Sequence, residues 1–127
     1  MEFDTFVIDS SVFVAFYSAN DTQHQNALRV LEEIAQNFLI VHPYVIQEVA
    51  TVLAYRLGIA TAKKFLNDIT HATNVSIPYV DIEEDIAAFS SANKRISFTD
   101  TALIRLAKAR NAKLITFDRQ MLSLYAK

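Results

Sequence analysis

Four short apolar runs, each separated from the next by one or more stretches of helical periodicity, set the tightest limit on what this chain can fold into. Thr5-Phe-Val-Ile8, Phe38-Leu-Ile-Val41, Val75-Ser-Ile-Pro-Tyr-Val80 and Lys113-Leu-Ile-Thr-Phe117 are rich in β-branched and aromatic residues. Runs of this length and composition read as strands, and the first is what a strand buried on both faces looks like. Between them the apolar residues recur at three and four. Ala27, Leu28, Val30, Leu31, Ile34 and Ala35 form one stripe behind the cap candidates Asp21 and Thr22, and Val45, Ile46, Val49, Val52, Leu53 and Leu57 form another between Pro43 and Gly58. Further helices are expected from about Val12 to Tyr17, Thr61 to Ala72, Ser97 to Arg110 and Arg119 to Tyr125, with Glu83, Glu84 and Asp85 at the N-terminus of one more. Gly58 is the only glycine and is read as a helix C-cap, while Pro78 marks the third strand as an edge. Strands alternating with helices predict an α/β fold, a three-layer α/β/α sandwich around a mainly parallel sheet of four to five strands.

Composition narrows the class. A chain of 127 residues fits one domain, read here as residues 1–127, which should bury about two-thirds of the surface its unfolded form exposes. Its 52% hydrophobic content, with one Gly and two Pro, argues against a disordered chain and against a turn-rich all-β protein. No apolar run approaches the roughly 18 residues of a membrane span, and the start Met1-Glu-Phe-Asp4 lacks a basic leader, so a cytoplasmic protein with no membrane association is expected. With no Cys, disulfides and thiolate-bound metal are ruled out. The formal charge of −2 leaves nucleic-acid binding to a local basic patch.

Several acids stand where a merely structural role explains them poorly. Asp9 and Asp118 each follow directly on a strand-like run, which places them at the carboxyl edge of a parallel sheet, where such folds bind ligands. Each alone also serves as a helix cap. Asp100 precedes Leu103, Ile104 and Ala107 by three, four and seven residues, so it lies on the apolar face of its own helix. Glu48 borders the stripe of Val45, Val49 and Val52, a position that a solvated glutamate commonly occupies. Two unit charges 4 Å apart repel by about 4 kcal/mol at an effective dielectric near 20, so four gathered carboxylates call for a divalent cation. All-oxygen donors suit Mg²⁺ or Mn²⁺, and hydrolysis of a phosphodiester is the chemistry such a centre performs.

Phe6-Val-Ile-Asp-Ser-Ser11, Tyr44-Val-Ile-Gln-Glu-Val49, Ser97-Phe-Thr-Asp-Thr-Ala-Leu-Ile104 and Leu114-Ile-Thr-Phe-Asp118 occur in this order over nearly the whole chain. In these segments the sequence resembles the PIN-domain nucleases, and among them the VapC-type toxins of toxin–antitoxin pairs. The resemblance implies a metal-dependent endoribonuclease acting as the toxin of a type II pair, with catalytic residues Asp9, Glu48, Asp100 and Asp118. It implies Mg²⁺ or Mn²⁺ as cofactor, held by Asp9 and Asp100, with Asp118 either ligating a second ion or binding through water and Glu48 orienting the attacking water. Ser11 and Thr116 fall on hydroxyl positions expected to orient Asp9 and Asp118. The partners implied are an RNA substrate, a cognate antitoxin and a second copy in a homodimer.

Lys94, Arg95 and Arg119 are the candidate RNA-binding cations, and Lys63, Lys64, Arg105, Lys108 and Arg110 are also basic enough to meet phosphates. His24, His42 and His71 share no ligand spacing and are read as surface or cap residues. Tyr17, Tyr44 and Tyr55 are the tyrosines that can stand near a groove, with core packing as the competing role. Aspartyl-phosphate chemistry fits poorly, because Ser11 stands where a second Asp is needed and the run at Phe38 ends in His-Pro. The remaining alternatives are a catalytically silent PIN-like module that binds RNA or protein, and a housekeeping PIN nuclease without an antitoxin.

Overall fold

The computed structural model describes residues 3–127; Met1 and Glu2, part of the stretch read for a leader and of the 1–127 domain span, lie outside the described residues. The elements follow in the order β1 (Thr5–Ile8), α1 (Ser10–Tyr17), α2 (His24–Ile34), β2 (Phe38–Ile40), α3 (Pro43–Leu57), α4 (Ile59–His71), β3 (Val75–Ser76), α5 (Ile82–Ser90), α6 (Phe98–Ala109), β4 (Lys113–Ile115) and α7 (Arg119–Ala126). All strand pairs are parallel, and the sheet order is β3-β2-β1-β4. Four parallel strands flanked by helices give the three-layer α/β architecture that the alternation predicts.

Strand order decides where a site can form. From β1 the chain steps outward through β2 to β3, then returns to place β4 on the other side of β1. The strand order therefore switches direction between β1 and β4, and helices leaving the carboxyl ends of these two strands diverge and leave a crevice. In register, Ile8 pairs with Ile115, so Asp9 and Thr116 emerge side by side. The Asp9 amide donates to the Ile115 carbonyl at 2.9 Å and extends the ladder to the brink of the crevice.

The core is the sheet's apolar faces and the inner stripes of the helices. Val7, Ile8, Val12, Val45, Val49, Leu53, Phe65, Leu103 and Met121 are fully buried. Phe65 of α4 packs against Phe13 and Tyr17 of α1, with ring centroids 5.2 and 5.7 Å apart. On one flank α1 packs on α2 and α3, and α3 on α4; elsewhere α6 packs on α5, α7, β1 and β4.

Several boundaries differ from the sequence expectation, each for a local reason. The third strand ends at Ser76 rather than Val80, because Pro78 has no amide to donate and restricts the residue before it. Its edge position is as expected. The fourth strand stops at Ile115 because the next amides turn to side chains: Phe117 N donates to Ser11 Oγ and Asp118 N to Thr116 Oγ1. Helix α2 begins at His24, two residues after the expected caps, since Asp21 Oδ1 accepts from the Gln23 amide in a turn of its own. Its buried stripe is narrower than the pattern suggested, with Ala27 and Ile34 buried and Leu28 and Ala35 exposed. Gly58 closes α3 and opens α4 with φ 102° and ψ 159°, an extended left-side conformation that suits glycine alone.

Candidate active site

The crevice beyond β1 and β4 is a cleft of about 940 Å³ lined by Asp9, Glu48, Asp100 and Asp118 together with Ser10, Ser11, Tyr44, Thr51, Arg56, Ser97 and Phe98. Four different elements deliver the four acids. Asp9 joins β1 to α1, Glu48 comes from the second turn of α3, Asp100 from the first turn of α6, and Asp118 precedes α7.

Asp9 is buried, at 7% exposure, and is the most tightly held. It occupies the N-cap position of α1 yet makes no side-chain capping bond. Its Oδ2 instead accepts from Ser11 Oγ and Thr116 Oγ1, both at 2.8 Å. Thr116 Oγ1 in turn accepts from the Asp118 amide at 3.0 Å, so one hydroxyl bridges the ends of two strands. Asp118 does serve as a cap: its Oδ1 accepts from the amides of Gln120 and Met121. The structural role considered for both acids thus holds for Asp118 and fails for Asp9.

Glu48 is exposed on its helix, but its Oε2 accepts from Ser10 Oγ at 2.8 Å. Asp100 is half-buried behind Ser97, whose hydroxyl caps α6 by accepting from the Asp100 amide. Burial pushes the Asp100 carboxyl up to about 6, and the charges of Asp9, Asp118 and Glu48 push in the same direction against the opposing pull of the Ser97 hydroxyl. The four acids therefore share one electrostatic environment.

This donor set fits a hard divalent cation. One oxygen each of Asp9, Glu48 and Asp118 is committed to a hydroxyl or amide, which leaves the other, among the described residues, without a hydrogen-bond donor. Among the described residues no three acidic or histidine side chains stand at mutual chelating distance. Such spacing suits an ion that keeps part of its water shell, as Mg²⁺ does.

The cations sit differently from the sequence reading. Arg56, in the last turn of α3, lines the cleft, whereas its described lining does not include Lys94, Arg95 or Arg119. Lys94 borders a separate apolar groove with Ile96, Ile104 and Leu124; the Arg95 carbonyl accepts from Gln120 Nε2; Arg119 opens α7 on the exposed surface. Arg105 is committed elsewhere, to Asp85 at 2.6 Å and Glu84 at 3.1 Å. Of the tyrosines, Tyr44 lines the cleft, Tyr17 donates to Asp68, and Tyr55 is fully out in solvent. His42 is a cap residue, its Nδ1 accepting from the Tyr44 amide, and burial lowers its pKa.

Sequence reasoning missed Ser10, Ser97 and Arg56. Helical spacing carried a signal for Arg56, which lies two steps of four beyond Glu48 on the same helix. Ser10 meets a partner 38 residues away, and no local pattern announces that contact.

The PIN domain family model matches residues 6–127. The chain belongs to the PIN-domain family. A VapC ribonuclease of Archaeoglobus fulgidus is 27% identical over 120 residues, covering 88% of this chain and 76% of that protein. Among solved structures, Mycobacterium tuberculosis VapC20, described as a sarcin-ricin loop cleaving toxin, superposes with a TM-score of 0.81 at 20% identity over 94% of both chains. This PIN domain therefore shares its fold with a toxin whose sequence has diverged widely.

Proposed function

We propose that this PIN-domain chain is a metal-dependent endoribonuclease and the toxin of a type II toxin–antitoxin pair, working as one unit over residues 1–127 in the cytoplasm. The observation that carries the reading is the meeting of Asp9, Glu48, Asp100 and Asp118 in one cleft at the carboxyl edge of the sheet. The 27% identity to a VapC ribonuclease supports the same activity. A cognate antitoxin and a homodimer are the partners we assign to it.

Asp9 and Asp100 hold the cation, with Mg²⁺ or Mn²⁺ as the ion of choice for oxygen donors, and Asp118 contributes the oxygen left free by its cap. When bound, the ion supplies charge neutralisation at the phosphoryl oxygens and acidifies the attacking water. Ser11 and Thr116 fix the Asp9 carboxylate by two hydroxyl donors, so its uncommitted oxygen keeps a constant aim. Glu48, steadied by Ser10, orients the water and accepts its proton. Lys94, Arg95 and Arg119 remain candidate contacts for RNA leaving the cleft.

The test is cleavage of single-stranded RNA by the purified chain in Mg²⁺ or Mn²⁺, with chelator and with Asp9→Asn and Asp100→Asn. Both substitutions and the chelator should reduce cleavage by at least about 100-fold while the circular dichroism stays that of the parent. Cleavage at the parental rate by either variant, or undiminished in chelator, would remove the basis of this reading.

A further inference from the structure

We propose that Arg56 is the substrate-positioning residue of the cleft and that it grips a backbone phosphate of the RNA away from the one being cut; this rests on the ribonuclease reading. The cleft is walled by five carboxylates, the four acids above and Asp21, and Arg56 is the cation in its described lining. A polyanion entering such a place needs a positive contact that the acids have not already consumed. Arg56 meets that condition: among the described residues its guanidinium takes part in no ion pair, unlike Arg105, Lys64 and Lys113.

The position along α3 adds the geometry. Tyr44, Glu48, Thr51, Val52 and Arg56 all line the cleft, so this helix runs along it. Eight residues separate Glu48 from Arg56, a rise of about 12 Å along the axis. An arginine anchored that far along α3 from Glu48 is placed to meet a different phosphate from the one the acids hydrolyse, further along the same strand. At the other end of the same edge, Tyr44 and Phe98 stand with ring centroids 5.7 Å apart, an aromatic wall beside the acids. The cleft thus offers a π-face at one end of α3 and a positive charge at the other, the pair of features with which single strands are held without base-edge readout. A role confined to the helix dipole, the structural use of a last-turn Arg, asks nothing of substrate length.

Length is therefore the readout. Steady-state cleavage is measured for the parent, Arg56→Ala and Arg56→Lys on a single-stranded RNA of about ten nucleotides and on a dinucleotide, which spans too little to reach from Glu48 to Arg56. On the longer RNA, Arg56→Ala should raise KM roughly tenfold with kcat within about twofold, and Arg56→Lys should recover part of the loss. On the dinucleotide the same comparison should show a KM change below about twofold. Replacing single linkages of the longer RNA by neutral methylphosphonates should reveal one position, away from the cut, whose neutralisation raises KM in the parent and not in Arg56→Ala. An unchanged KM for Arg56→Ala on the longer RNA, an equal penalty on both substrates, or a methylphosphonate effect that survives in Arg56→Ala overturns the assignment while leaving the nuclease reading intact. A parent chain that cuts neither RNA overturns both.

Discussion

At the scale of single residues, the environment of a carboxylate decides its use. Asp9 and Asp118 hold equivalent places after β1 and before α7, yet Asp118 gives one oxygen to backbone amides and Asp9 gives its own to two hydroxyls. Asp100 is the acid least at ease in its charged form. Its folded value of about 6 lies above the ordinary 3.8, so its protonated form favours the folded state. The stability it contributes is fully present below pH 3.8 and is lost as the pH rises through about 6. In the metal-free chain, Asp100→Asn should therefore stabilise the fold near pH 8 by on the order of 1 kcal/mol, a value already discounted for solvent screening, and by almost nothing near pH 4. Urea unfolding of parent and variant at the two pH values checks this; a gain that is equal at both would mean that charge is not the cause.

At the scale of elements, one polar cluster holds α3, α5 and α6 together beside the cleft. Asp85 of α5 is 4% exposed; it accepts from Arg105 Nη2 of α6 at 2.6 Å and from Tyr44 Oη of α3 at 2.9 Å. Burial and the bond to Asp85 push the Tyr44 hydroxyl up to about 12, and the bond to Asp85 also raises Arg105. From sequence, Asp85 was one of three acids suited to a helix dipole, whereas its neighbours Glu83 and Glu84 stay exposed and it alone turns inward. Removing a buried partner leaves the other charge uncompensated, although Arg105 retains some access to water. Asp85→Ala should cost about 2–3 kcal/mol in urea unfolding, and Asp85→Asn, which keeps one of the two acceptor oxygens, should cost less. Equal losses would show that the charge, rather than the hydrogen bonds, holds the three helices.

At the scale of the whole molecule, the gathered acids of the site oppose the stability of the fold, and the metal centre proposed above would relieve that opposition. Setting aside the five acids and Arg56 that line the cleft leaves 9 of the 14 Asp and Glu against 11 of the 12 Lys and Arg, so the rest of the chain is slightly basic while the cleft is strongly acidic. Gathering those acids costs stability, and an ion bound there, as proposed, would return it through linkage. Mg²⁺ or Mn²⁺ at about 100 times its Kd should add about 2.7 kcal/mol, seen as a Tm rise of several degrees that Asp100→Asn reduces. A Tm indifferent to either ion, with the parent and Asp100→Asn melting alike, would argue against a metal centre among these residues.

Much of this protein is written locally. Apolar runs at Thr5–Ile8 and Lys113–Ile115, the stripe from Val45 to Leu53, Pro43, Pro78 and Gly58 specify strands, helices and their ends through contacts within a few residues, and the alternation of the two periods leaves the parallel α/β sandwich as the fold. Asp9 and Asp118 were legible because each ends a strand-like run, and Asp100 because it sits on its helix's apolar face; Glu48, on a helix edge like any solvated glutamate, was identified through resemblance alone. What the tertiary structure decided are the pairings between distant residues, Ser10 with Glu48 and Asp85 with Arg105 and Tyr44, and the presence of Arg56 rather than Lys94, Arg95 or Arg119 in the cleft lining. Sequence periodicity states which face of an element turns inward. Which side chain waits on the other side depends on strand order and helix packing, and these are settled only when the sheet assembles.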